Sequence, residues 1–124
     1  MDTLKKRILI ADDDAGIVDS LYLLLEVLGF DVASTMEGGK VVDAIKNKPD
    51  LLLLDIWMSG VDGRDICRLI KANDATKDIP VLMISASRDN RQSALDSGAN
   101  DFLGKPFEMS AIKEKIMALL GPRH

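Results

Sequence analysis

A chain of 124 residues, 47% apolar and 29% charged, is sized for one folded domain spanning residues 1–124. Its net charge of -4 argues against direct nucleic-acid binding, since phosphate contacts call for a basic surface. A lone cysteine, Cys67, excludes an intrachain disulfide and suits a reducing, cytoplasmic setting. No apolar run approaches the roughly 18 residues that span a bilayer. Lys5-Lys6-Arg7 leads into only a short apolar run, Ile8 to Ala11, which is not a signal peptide.

Ile8 to Ala11 reads as a first strand, followed at once by Asp12, Asp13 and Asp14. Asp14 is placed to cap a helix whose inward face carries Ile17, Leu21, Leu24, Leu25 and Leu28, with Gly29 as its stop. Phe30 to Ser34 is a weaker second strand. Gly38-Gly39 opens a short helix with Val41, Val42 and Ile45 inward, ending near Lys48-Pro49. Leu51 to Leu54 runs straight into Asp55 and is bounded by Pro49-Asp50 and Ser59-Gly60. That pattern fits a strand buried on both faces. After Asp62-Gly63 a third helix turns Ile66, Leu69 and Ile70 inward beside Cys67, and Asn73 to Asp78 is a polar loop. Val81 to Ile84 is a fourth buried strand ending at Ser85. Asn90 to Ser97 is a short polar helix with little beyond Ala94 and Leu95 to bury, closed by Gly98. Asp101 to Leu103 is a brief fifth strand. Ser110 to Leu120 is an amphipathic last helix, with Ile112, Ile116, Leu119 and Leu120 on its apolar face and Gly121-Pro122 as its stop. Strand and helix alternate five times, which predicts an α/β, doubly wound parallel sheet.

In such a sheet the carboxyl ends of all strands lie on one edge, where ligands bind. That edge receives Asp12, Asp13, Asp55, Ser85 and Lys105. Crowded carboxylates need a cation or protonation. Oxygen donors without histidine or cysteine suit a hard ion such as Mg²⁺, which usually shares its shell with a phosphoryl group. A hydroxyl and a lysine nearby suit that group's remaining oxygens, and an aspartate beside the ion can itself attack phosphorus.

The chain resembles the response-regulator receiver domains of two-component signalling over nearly its whole length. The segments that carry the likeness are Ile8 to Asp14, Leu54-Asp55, Gly60-Val61-Asp62-Gly63, Ile79 to Ala86 and Gly98 to Phe107. The resemblance implies a flavodoxin-like strand order 2-1-3-4-5. It makes Asp55 the phosphoacceptor for a sensor histidine kinase or histidine phosphotransfer protein. It makes Asp12, Asp13, Asp55 and the backbone carbonyl of Trp57 the Mg²⁺ ligands. Ser85 matches the hydroxyl that follows the phosphoryl group, Lys105 the lysine that pairs with it, and Phe102 the switch aromatic that turns inward. The family often holds the bond matching Lys105-Pro106 in cis. The surface of fourth helix, fifth strand and fifth helix is implied to control an output protein and to offer a homodimer contact. Such a domain assists its own phosphotransfer and dephosphorylation but is not an enzyme.

Three positions depart from the common pattern. Trp57 is bulky for its place, Ser59 stands where many members have proline, and Phe102 lacks the hydroxyl of the more usual tyrosine. Two other readings compete. One is a pseudo-receiver acting as a constitutive interaction module, against which the intact acidic, hydroxyl and lysine set stands. The other is a hydrolase with Asp12 as nucleophile, against which the lack of a cap domain stands. His124 reads as a frayed tail and Cys67 as core. No output domain fits within these residues, which leaves open a stand-alone regulator and a part of a longer protein.

Overall fold

The computed structural model describes residues 5–87 and 90–121. The readings of Pro122 and His124 lie outside them. Five strands, β1 (Arg7–Ala11), β2 (Asp31–Thr35), β3 (Leu51–Asp55), β4 (Val81–Ser85) and β5 (Asp101–Gly104), form one parallel sheet in the order β2-β1-β3-β4-β5. The five helices are α1 (Ala15–Val27), α2 (Val41–Ala44, between 3₁₀ turns at Gly38–Lys40 and Ile45–Asn47), α3 (Gly63–Ala72), α4 (Arg91–Asp96) and α5 (Met109–Leu120). The expected doubly wound α/β fold, with its flavodoxin-like order, is therefore the observed one.

β3 is central and every one of its residues is buried. Successive side chains of a strand point to opposite faces, so its leucines divide between two cores. Leu51 and Leu53 join Ile8, Ile10, Leu82 and Ile84 against α1 and α5. Leu52 and Leu54 join Leu9, Val81 and Met83 against α2, α3 and α4. Each fully buried leucine is worth about 1.5–3 kcal/mol relative to exposure, so this run anchors the sheet. The register pairs Ala11 with Leu54 and Asp55 with Ile84, which brings the ends of β1, β3 and β4 to one edge.

Several side chains differ from expectation. Leu69 is 60% exposed and Val42 37% exposed, both predicted inward. Ile66, Ile70 and Cys67 occupy the inner face of α3 as expected, and Ala44 packs inward from α2. In α1, Val18 is buried with Leu21 and Leu25, while Ile17, Leu24 and Leu28 are only half-buried at the margin. A short antiparallel ribbon, Trp57–Met58 against Val61–Asp62, fills what reads in sequence as a plain loop. Asp14 does cap α1, its Oδ1 accepting from the Gly16 and Ile17 amides.

Candidate phosphoacceptor site

Asp55 ends β3, and its pleat position leaves it 6% exposed. Asp12 follows β1 directly and is fully buried, while Asp13 is exposed. Carboxylate oxygens of Asp12, Asp13 and Asp55 lie within 4.8 Å of one another. Lys105 follows β5, and its amide donates to the Ser85 carbonyl at 2.7 Å. Its Nζ lies 2.9 Å from Asp12 Oδ2 and 3.5 Å from Asp55 Oδ2. The Lys105-Pro106 peptide is cis, as the resemblance implies.

Burial is the main reason the Asp55 carboxyl is pushed up to about 6, with the charge of Asp12 adding to it. Lys105 opposes the shift without cancelling it, and Asp13 adds to it. Burial pulls the Lys105 ammonium down, but Asp12 and Asp55 outweigh that and its net shift is upward. Asp12 Oδ1 accepts from the Asp14 amide at 2.9 Å. Asp12 Oδ2 is buried, and its neighbour is the Lys105 ammonium. Three carboxylates whose oxygens lie within 4.8 Å of one another, with no softer donor in the cluster, fit a hard divalent cation such as Mg²⁺.

The loop after Asp55 is fixed by backbone contacts. The Ser59 amide donates to Asp13 Oδ2 at 3.0 Å, and the Ser59 hydroxyl donates to the Met36 carbonyl at 3.2 Å. Ser59 adopts φ 49°, a left-handed conformation that proline cannot reach. Trp57 is 55% exposed, with the Arg64 guanidinium 5.6 Å from its ring centroid. Arg64 also grips Asp62 through Nε and Nη2 at 2.8–3.3 Å, and these bonds hold the Asp62 carboxyl below its ordinary value.

On the other side, Ser85 is buried, and its Oγ accepts from the Ser87 amide at 3.1 Å and from Asn90 Nδ2 at 3.0 Å. Phe102 is 4% exposed within the α2–α4 core. Its ring is thus already inward while Ser85 is bound to Asn90, where the resemblance pairs the inward ring with a displaced hydroxyl.

Gly63 does more than the turn that Asp62-Gly63 suggests in sequence. A Cβ there would stand 2.5 Å from the Asp55 carbonyl and 3.1 Å from Ile56 Cα, so only glycine lets α3 start against the back of the Asp55 peptide. The Asp62-Gly63 pair carried that signal but reads first as a turn. Arg64, Ser93 and Asn90 had no local signal, because their contacts are made between elements.

The response regulator receiver domain model matches residues 8–117. The DNA-binding response regulator MtrA of Mycobacterium tuberculosis is 36% identical over 123 residues, covering 97% of this chain and 53% of that protein. The DNA-binding dual master transcriptional regulator RpaA of Synechocystis is 39% identical over 118 residues, covering 92% of this chain and 48% of that protein. The chain thus spans about half the length of the curated relatives it matches. A crystal structure of a CheY-like response regulator receiver domain protein from Methanospirillum hungatei superposes with a TM-score of 0.84 at 32% identity, covering 94% of each chain. With a five-stranded sheet in the family's order and an acidic cluster at its carboxyl edge, this chain belongs to the response regulator receiver domain family.

Proposed function

We propose that residues 1–124 act as one phosphorylation-controlled switch, with Asp55 as the acceptor. The observation that carries this reading is the placement of the Asp55 carboxylate beside Asp12 and Asp13, with the Lys105 ammonium 3.5 Å away. Asp12, Asp13, Asp55 and the Trp57 backbone carbonyl would hold Mg²⁺, which when bound neutralises charge on the cluster and on a transferring phosphoryl group. A sensor histidine kinase or histidine phosphotransfer protein is the donor. An Asp55 carboxylate oxygen attacks phosphorus, the O–P bond forms, the N–P bond breaks, and its electron pair stays on the imidazole nitrogen. Lys105 pairs with a phosphoryl oxygen, exchanging part of its hold on Asp12 for that contact. Ser85 turns its hydroxyl to another oxygen, and Phe102 fills the space beneath.

A groove lined by Ile17, Ser20, Ala86, Pro106, Phe107 and Met109 offers the donor a partly apolar seat beside Lys105. The added charge of about -2 then shifts the α4–β5–α5 surface, through which the domain controls an output protein or pairs with a second copy. We place the domain in the cytoplasm, consistent with a lone, buried thiol at Cys67 and with no described helix long and apolar enough to cross a membrane.

Incubation with a small-molecule phosphodonor and Mg²⁺ tests the reading. One phosphoryl adduct is expected by intact mass on the wild-type chain and none on Asp55→Asn. No adduct on wild type would leave the fold as a constitutive interaction module. An adduct lost from Asp12→Asn but kept by Asp55→Asn would move the nucleophile to Asp12.

A further inference from the structure

The residue before α4 is an asparagine that does not do what asparagine usually does there. Asn90 precedes α4, where an asparagine side chain ordinarily accepts from the first free amides of the helix. Here it makes no such bond, and its backbone lies in the helical region rather than the extended one. Its Nδ2 instead donates to Ser85 Oγ at 3.0 Å. The Asn90 carbonyl accepts from Ser93 Oγ at 3.1 Å, and Ser93 Oγ accepts in turn from Arg64 Nη1 at 3.0 Å. Arg64 is itself fixed by its fork onto Asp62 and its stack on Trp57. These contacts close a circuit around Asp55. It starts at Trp57, two residues after Asp55, passes through Arg64, Ser93 and Asn90, and returns at Ser85, the neighbour of Ile84, which pairs with Asp55 across β3 and β4.

We propose that Asn90 is a positioning residue for the Ser85 hydroxyl, holding it toward α4 in the unmodified chain while Ser93 and Arg64 brace the asparagine. The inference rests on the acceptor reading of Asp55, because it gives Ser85 a second position to move to. An acceptor with two donors on it leaves that arrangement only by giving up a hydrogen bond. The Asn90 bond therefore stabilises the resting state, and its loss favours the phosphorylated one by the same amount. The Ser87 amide alone cannot hold the hydroxyl as firmly. The coupling is local to α4, the shortest α-helix after α2, with only Ala94 fully buried.

Beryllofluoride with Mg²⁺, a mimic of the aspartyl phosphate, is the probe, and its affinity is measured by calorimetry. Asn90→Gly removes the amide while keeping a residue tolerated before a helix. It is expected to bind about 3- to 10-fold tighter than wild type, the equivalent of one ordinary hydrogen bond. In a Ser85→Ala background the same substitution is expected to change affinity less than about twofold, since the partner is already gone. Asn90→Ala, with folding checked by circular dichroism, is expected to repeat the result. Unchanged affinity in both Asn90 variants, or a gain that persists undiminished with Ser85→Ala, overturns the proposal while leaving the acceptor reading intact. If wild type itself binds no beryllofluoride, the acceptor reading falls and the role of Asn90 falls with it.

Discussion

Asp55 sits where its charge is unwelcome, which suits the proposed acceptor role. A carboxyl pushed up to about 6 from 3.8 binds more protons in the folded chain than in the unfolded one across that interval. Folding stability is therefore highest below about pH 4 in this respect, falls as pH rises toward 6, and is level above it. The full cost of the ionised form has a ceiling of about 3 kcal/mol. Without added metal, Asp55→Asn is expected to unfold at higher urea than wild type at pH 8, with the gap closing near pH 4. Equal midpoints at pH 8 would mean that Lys105 already balances the three carboxylates. The strain is what makes a cation or a phosphoryl group with its cation welcome there. It also explains why Lys105, raised by the same neighbours, stays charged.

At the scale of elements, the boundaries of strands and helices were legible because period and punctuation agreed. Asp14 capped, Gly29 and Gly98 turned, and the leucine run of β3 was buried throughout. The errors lay in rotation about helix axes. Leu69 fits the apolar spacing of α3 as well as Cys67 does, but the sheet faces Cys67, and nothing in α3 alone says so. α2 is interrupted by 3₁₀ turns at both ends, so counting at 3.6 residues per turn misplaces Val42. The acidic cluster and Lys105 were legible because each lies at the carboxyl end of a strand, whereas the Arg64–Ser93–Asn90 contacts depend on how α3 and α4 pack. The start of α3 yields its own test. Gly63→Ala puts a methyl group into the Asp55 carbonyl and is expected to cost about 1–3 kcal/mol in urea unfolding, with a matching fall in phosphoryl acceptance. Gly39→Ala meets nothing within 4 Å and is expected to be neutral or slightly stabilising. No loss in Gly63→Ala would show that the gain in helix propensity outweighs the close approach.

For the molecule as a whole, the proposed Mg²⁺ site would link stability to the ion. At a concentration 100 times its dissociation constant, a ligand bound only by the folded state adds about 2.7 kcal/mol. The thermal midpoint is expected to climb with Mg²⁺ in wild type and to stay flat in Asp13→Asn, followed by differential scanning calorimetry. A midpoint that rises equally in both would locate the ion elsewhere. The division of the β3 leucines has a further consequence. Odd and even positions serve separate cores, so the sheet works as a partition wall with its own tenants on each side. Ile17 and Phe107, which line the groove offered to the donor, belong to the α1–α5 side. Ala94 and Phe102 belong to the other. On the proposed reading, the donor groove and the compartment under α4 lie on opposite faces of the sheet, while α5 packs on the donor's face and joins the output surface from there. A lineage could reshape the groove to change its donor without repacking the compartment that moves α4.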